Sequence, residues 1–106
     1  MVRRGEIWLA ALDPTVGSEI NKTRPCVVVS PAEMHDYLRT VIVVPMATGS
    51  KPAPYRVPIT FEKKKGLIVL DQMRTLDKER LVKKLGRVTD KTLAHTLEAL
   101  QEVFAQ

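Results

Sequence analysis

Apolar residues in this chain fall mostly in short runs, and only the last stretch keeps a helical spacing. "GEIWLAAL", Gly5 to Leu12, alternates and carries an aromatic, which predicts a first strand ended by the Asp13-Pro14 turn signal. A polar loop over residues 14–23 follows, with Gly17 as its pivot. It passes directly into Pro25 to Val29, a β-branched run that predicts a second and buried strand. Ser30-Pro31-Ala32-Glu33 has the pattern of a helix start, with Ser30 as N-cap and Pro31 in the first turn. That helix must be short, because Thr40 to Val44 is β-branched again. Pro45 at the end of this run predicts a free edge or a bulge.

Beyond it, "TGSKPAP", Thr48 to Pro54, reads as a loop, and Tyr55 to Phe61 alternates as a strand. Lys63-Lys64-Lys65-Gly66 reads as a charged turn, and Leu67 to Asp71 and Leu81 to Val88 as further strands. Thr89 caps a last element with Asp90 in its first turn; Leu93, Leu97, Leu100 and Phe104 then share one helical stripe. Many short strands and one terminal amphipathic helix predict a mainly β fold, a small curled antiparallel sheet or barrel under that helix.

The length of 106 residues suits one domain, 1–106, with a core of its own. A single cysteine, Cys26, inside an apolar run fits a reducing compartment. No secretory signal pattern or membrane-length apolar run is present, so a cytoplasmic protein away from membranes is expected. Charge adds more. Lys and Arg number 17 against 12 for Asp and Glu, a net charge of +5. The excess lies wholly in residues 1–89, for from Asp90 onward only Lys91 faces Asp90, Glu98 and Glu102. A basic body suits a polyanionic partner.

Candidate chemistry is narrow. His35 and His95 lie in different predicted helices without metal-ligand spacing, which argues against a metal site. Both are expected at the surface, so an acid–base pair of histidines is not favoured either. What remains are polar residues where strands meet loops: Glu19 and Arg24 around the entry to the second strand, Thr48 ending the third, and Asp71 ending the fifth with Gln72 and Arg74 after it.

Four ordered stretches, "RGEIWLAALDPTVGSE", "TRPCVVVSP", "VVPMATGS" and "GLIVLDQMRTLD", resemble the successive motifs of the MazF/PemK toxin family over nearly the whole chain. The resemblance implies an SH3-like barrel with a short helix after the second strand and a C-terminal helix, assembled as a homodimer. It implies the toxin of a type II toxin-antitoxin system, an endoribonuclease that cuts single-stranded RNA at short sequences without a metal or other cofactor. A cognate antitoxin with an acidic, disordered C-terminal tail would hold it inactive. Arg24 and Thr48 match the family's principal catalytic pair, Glu19 a carboxylate used in part of the family, and Asp71 the acid of the PemK branch. Ser18 and Val69 stand where that branch has histidine and arginine, which favours the set Glu19, Arg24 and Thr48. Lys22, Lys51, Arg56, Gln72 and Arg74 would contact RNA.

Cleavage through the substrate's own 2′-hydroxyl needs a base and cationic donors at the phosphorus. Glu19 and the planar, permanently charged guanidinium of Arg24, aided by the Thr48 hydroxyl, fit those needs. Two rival functions share the fold class. One is a gyrase-poisoning toxin of the related CcdB type, whose Trp-Gly-Ile ending is absent, since this chain ends "EVFAQ" and its one tryptophan is Trp8. The other is a non-catalytic SH3-like nucleic-acid-binding module.

Overall fold

β-branched runs form the middle of the molecule. The computed structural model describes residues 1–49 and 51–106; Ser50, in the loop expected over 48–54, lies outside the described residues. The strands are β1 (Glu6–Ala11), β2 (Thr23–Val28), β3 (Thr40–Ala47), β4 (Arg56–Phe61), β5 (Lys64–Val69), β6 (Arg74–Asp77) and β7 (Leu81–Arg87). Two α-helices, α1 (Ala32–His35) and α2 (Asp90–Val103), complete the order, with single 3-10 turns at Leu70–Gln72 and Lys78–Arg80. The strands are antiparallel neighbours in the order β4-β5-β3-β2-β1-β7, and β6 pairs with the first half of β3.

Cys26–Val28 of β2 and Val41–Ala47 of β3 are apolar at every position because both faces are covered. Val27, Val29, Val44 and Met46 point into one cluster with Ile7, Ile68 and Leu100; Cys26, Val28, Val41 and Val43 alternate into another with Ala10, Leu12 and Leu76. Leu93, Leu97, Ala99 and Leu100 of α2 close the first cluster, which is what the helical spacing predicts. Thr89 caps α2 by accepting a hydrogen bond from Thr92 N at 3.1 Å. Phe104 departs from the expected stripe: it follows the last helical turn and is 67% exposed. Cys26 is wholly buried, and that burial pushes its thiol up to about 12, against a smaller opposing pull from Arg74.

Several elements differ from the sequence expectation, each for a tertiary reason. Pro45 sits in no free edge. It is buried in β3 opposite Cys26, and on its other side the pairing with β6 ends at Val43 while that with β5 begins at Met46. The missing N–H falls in the gap between two ladders, where none is required. Ser30 does not cap α1. Pro31 holds that position, and Ser30 Oγ instead bonds His35 Nε2 at 2.6 Å and accepts from Ile42 N at 3.0 Å. His35 is therefore buried, not exposed, its Nδ1 lying 3.0 Å from the Val2 carbonyl. The charged turn is Glu62-Lys63, both at positive φ, so β5 begins at Lys64 and not at Leu67. Asp71 lies in the 3-10 turn after β5, and β6 was not foreseen.

Glu6 is a buried carboxylate that pattern reasoning passes over. It accepts from Arg3 N at 2.8 Å and Trp8 Nε1 at 3.1 Å, and pairs with Lys84 Nζ at 2.8 Å. Burial alone would raise its pKa; the bonds from Lys84, Arg3 and Trp8 outweigh that and hold it below the usual carboxylate range. The cluster ties β1 to β7.

Candidate active site

Proline marks the edge of the site. The β2–β3 ladder ends at the pair Cys26↔Pro45, and Pro25 precedes it, so β2 has no N–H to offer β3 at the next step. Beyond it β2 continues along β1, with Ala10↔Arg24, while β3 turns to β5 through Met46↔Ile68 and Ala47↔Leu67. Gly66 permits that turn: a Cβ there would lie 2.8 Å from the Ala47 carbonyl oxygen. Between the splayed ends lies a cavity of about 490 Å³, with Arg24, Thr48, Lys64, Asn21 and Glu62 among its polar wall and Met46, Ile59 and Phe61 among its apolar one. The exposed Arg24 is aimed by a hydrogen bond from its Nε to the Asn21 carbonyl at 3.1 Å. With Arg24 and Lys64 against Glu62 among the lining residues, and Thr48 beside them, the cavity has an excess of cationic side chains that suits an anion.

The loop between β1 and β2 divides this cavity from a second, of about 450 Å³, lined by Glu19, Asp71, Gln72 and Arg74 among others. Ile20 borders both. The loop is closed at its base by Leu12 N to the Lys22 carbonyl at 2.8 Å and by Lys22 N to Asp13 Oδ2 at 3.1 Å. Lys22 accepts a φ of +65° to do so. Cations from the far end of the chain bind the carbonyls at its start: Arg74 to Leu12 at 3.2 Å, and Arg80 to Ala11 at 3.1 Å and to Asp13 at 2.6 Å. Gln72 bonds the middle of the loop at Ile20 N, 2.6 Å, and at the Ser18 carbonyl, 3.2 Å. Glu19 itself accepts from Val16 N at 2.6 Å.

Arg24 and Thr48, distant in sequence, thus share one cavity, as their position at strand ends suggested. Glu19 shares the neighbouring cavity with Asp71, not the one holding Arg24. Asp71 is engaged by Arg56, Nε to Oδ1 at 3.2 Å and Nη2 to Oδ2 at 3.3 Å, and these bonds raise the Arg56 pKa further above its ordinary range. Of the residues expected at RNA, Gln72 and Arg74 line the second cavity and spend polar atoms on the loop. Arg56, Lys51 and Lys22 line neither cavity, and the Lys51 carbonyl accepts from Arg56 at 3.4 Å. Lys64 and Phe61 were missed as site residues. A two-residue turn at Glu62-Lys63 would have set them opposite each other at the end of a hairpin, and the alternation of Tyr55 to Phe61 held that signal. Among the described residues, no three His, Cys, Asp or Glu side chains gather as a cation site would require.

Residues 3–104 match the family of PemK-like, MazF-like toxins of type II toxin-antitoxin systems. An endoribonuclease MazF of Staphylococcus epidermidis is 37% identical, over 94% of this chain and 88% of its own length. Among solved structures, MazF from Deinococcus radiodurans superposes with a TM-score of 0.87 at 22% identity, covering 99% of this chain and 97% of that one. A mycobacterial endoribonuclease in complex with its cognate antitoxin gives 0.80 at 22% identity, with 96% and 93% covered. The fold and a match over almost every residue agree: the chain belongs to the PemK-like, MazF-like toxins of type II toxin-antitoxin systems.

Proposed function

We propose that residues 1–106 form a single toxin domain that acts as a homodimeric, metal-independent endoribonuclease on single-stranded RNA in the cytoplasm. A cognate antitoxin restrains it. The observation that carries this reading is the meeting of Arg24, Thr48 and Lys64 around one cavity, where the β2–β3 ladder ends. A phosphodiester placed there meets the Arg24 fork, an ammonium and a hydroxyl donor. The adjacent 2′-oxygen attacks phosphorus as a base takes its proton, the P–O5′ bond breaks, and the leaving 5′-oxygen takes a proton from water. The products are a 2′,3′-cyclic phosphate and a 5′-hydroxyl. Glu19 is the base and comes from the loop beside the cavity; the donors stabilise the pentacoordinate dianion between. Gyrase poisoning and simple nucleic-acid binding gain no supporting observation.

Incubation of the purified protein with a long transcript in EDTA tests the reading, with cut sites mapped by primer extension. Discrete cleavage is expected. Arg24→Ala should lower the rate by about 10²–10³ or more, the scale of losing an oxyanion donor, while the protein stays folded. Thr48→Ala should also be impaired and Thr48→Ser largely active. Intact RNA, or a folded Arg24→Ala protein of full activity, would end the proposal.

A further inference from the structure

We propose that Gln72 is a positioning residue for the reaction, one that holds the Glu19 loop against the site, and is not an RNA contact. The inference rests on the endoribonuclease reading for its consequence and on the structure alone for its geometry. The Gln72 carboxamide oxygen accepts from Ile20 N at 2.6 Å, and its nitrogen donates to the Ser18 carbonyl at 3.2 Å. The two bonded residues are those on either side of Glu19. Only this orientation of the amide works, because the flipped one would set NH₂ against N–H and oxygen against oxygen. The carboxamide therefore reads the loop backbone in both senses, which leaves it one N–H and one lone pair for anything else.

The anchor is firm. Gln72 ends the 3-10 turn Leu70–Gln72, whose Leu70 is buried, whose Leu70 N bonds the Tyr55 carbonyl at 3.2 Å, and whose Asp71 is held by Arg56. The loop's own side-chain bonds, Glu19 to Val16 and Thr15 to Asp13, are local and do not fix it to the barrel. The Ile20 side chain packs against the second core cluster and Arg24 holds the Asn21 carbonyl, while Gln72 fixes the backbone on both sides of Glu19 and with it the reach of that carboxylate. A base misplaced by about 1 Å can cost roughly 10² in rate, so the clamp acts on turnover.

Gln72→Ala removes both bonds, and Gln72→Met removes them while keeping the volume. Amide hydrogen exchange of the folded variants reads the clamp directly. Exchange at Ile20 should speed up by about tenfold while amides of β1 to β3 stay protected. With an RNA oligonucleotide spanning a mapped cut site, kcat should fall by about 10²-fold in both variants with KM little changed. Unchanged exchange at Ile20 would overturn the inference. So would a raised KM at constant kcat, the signature of a lost RNA contact. If the wild-type protein cut no RNA, the endoribonuclease reading would fall, and exchange at Ile20 would decide the clamp by itself.

Discussion

Arg24 and Glu19 face different demands, and the chain holds them differently. In the proposed reaction a guanidinium needs only to point at the phosphate, and Arg24 stands near a strand end with its Nε on the Asn21 carbonyl. A base must also be free to receive a proton. Both oxygens of Asp71 face Arg56 donors, whereas Glu19 has one oxygen on the Val16 amide. The sequence preference for Glu19 over Asp71 rested on Ser18 and Val69, and the bonding of Asp71 adds a separate reason for it. Glu19→Gln should flatten the acid limb of the pH–rate profile, and Asp71→Asn should leave that limb in place. The opposite pair of profiles would make Asp71 the base. Asp71→Asn also frees Arg56, so a change confined to KM in that variant would still agree with Glu19 as base.

At the scale of elements, the site depends on a strand changing partners. β3 gives its first half to β6 and its last residues to β5, and the switch leaves room for Pro45 on one side and the cavity on the other. Gly66 is the hinge of this exchange, with the Thr48 methyl 3.7 Å from where its Cβ would stand and the Ala47 carbonyl nearer still. Gly66→Ala should cost about 1–3 kcal/mol by overpacking, because backbone and not a flexible side chain must give way. It should also lower activity, since the displaced segment carries Thr48. Thermal unfolding and the RNA assay on the same sample check both. Normal stability with normal cleavage would show that β3 and β5 can part here without effect.

For the whole molecule, the important asymmetry is electrostatic. Residues 1–89 carry a net charge of +7, while α2 and the residues after it carry −2, one lysine against three carboxylates, which leaves the chain at +5. Under the proposed function, an RNA strand and an acidic antitoxin tail would both be drawn to such a body, and a tail that folds on binding would add apolar anchors. The 490 Å³ cavity offers Met46, Ile59 and Phe61 beside its cations, so one surface suits both partners. A peptide with the sequence of the antitoxin C-terminus should therefore compete with labelled RNA. Raising salt should weaken RNA more than peptide, because screening removes the ionic part and leaves the apolar part. Simultaneous binding of the two would place the inhibitory surface elsewhere, for instance on α2.

The chain's own pattern determined whatever depends on near neighbours: β-branched runs as strands, the Thr89 cap, the stripe of Leu93, Leu97 and Leu100, and a buried Cys26. It also marked Arg24 and Thr48, because strand ends beside loops are where side chains reach solvent while their backbone stays fixed. Contacts between distant segments were decided by the tertiary structure alone. Pro45 looks like an edge signal until two partners are seen to meet around it, and His35 looks exposed until Ser30 and the Val2 carbonyl enclose it. Likewise Gln72 looks like a free polar side chain until the loop 52 residues before it is seen to take both ends of its amide. Local sequence encodes propensity and periodicity, but burial and hydrogen-bond partners belong to pairs of residues, and those pairs exist only once the sheet has curled.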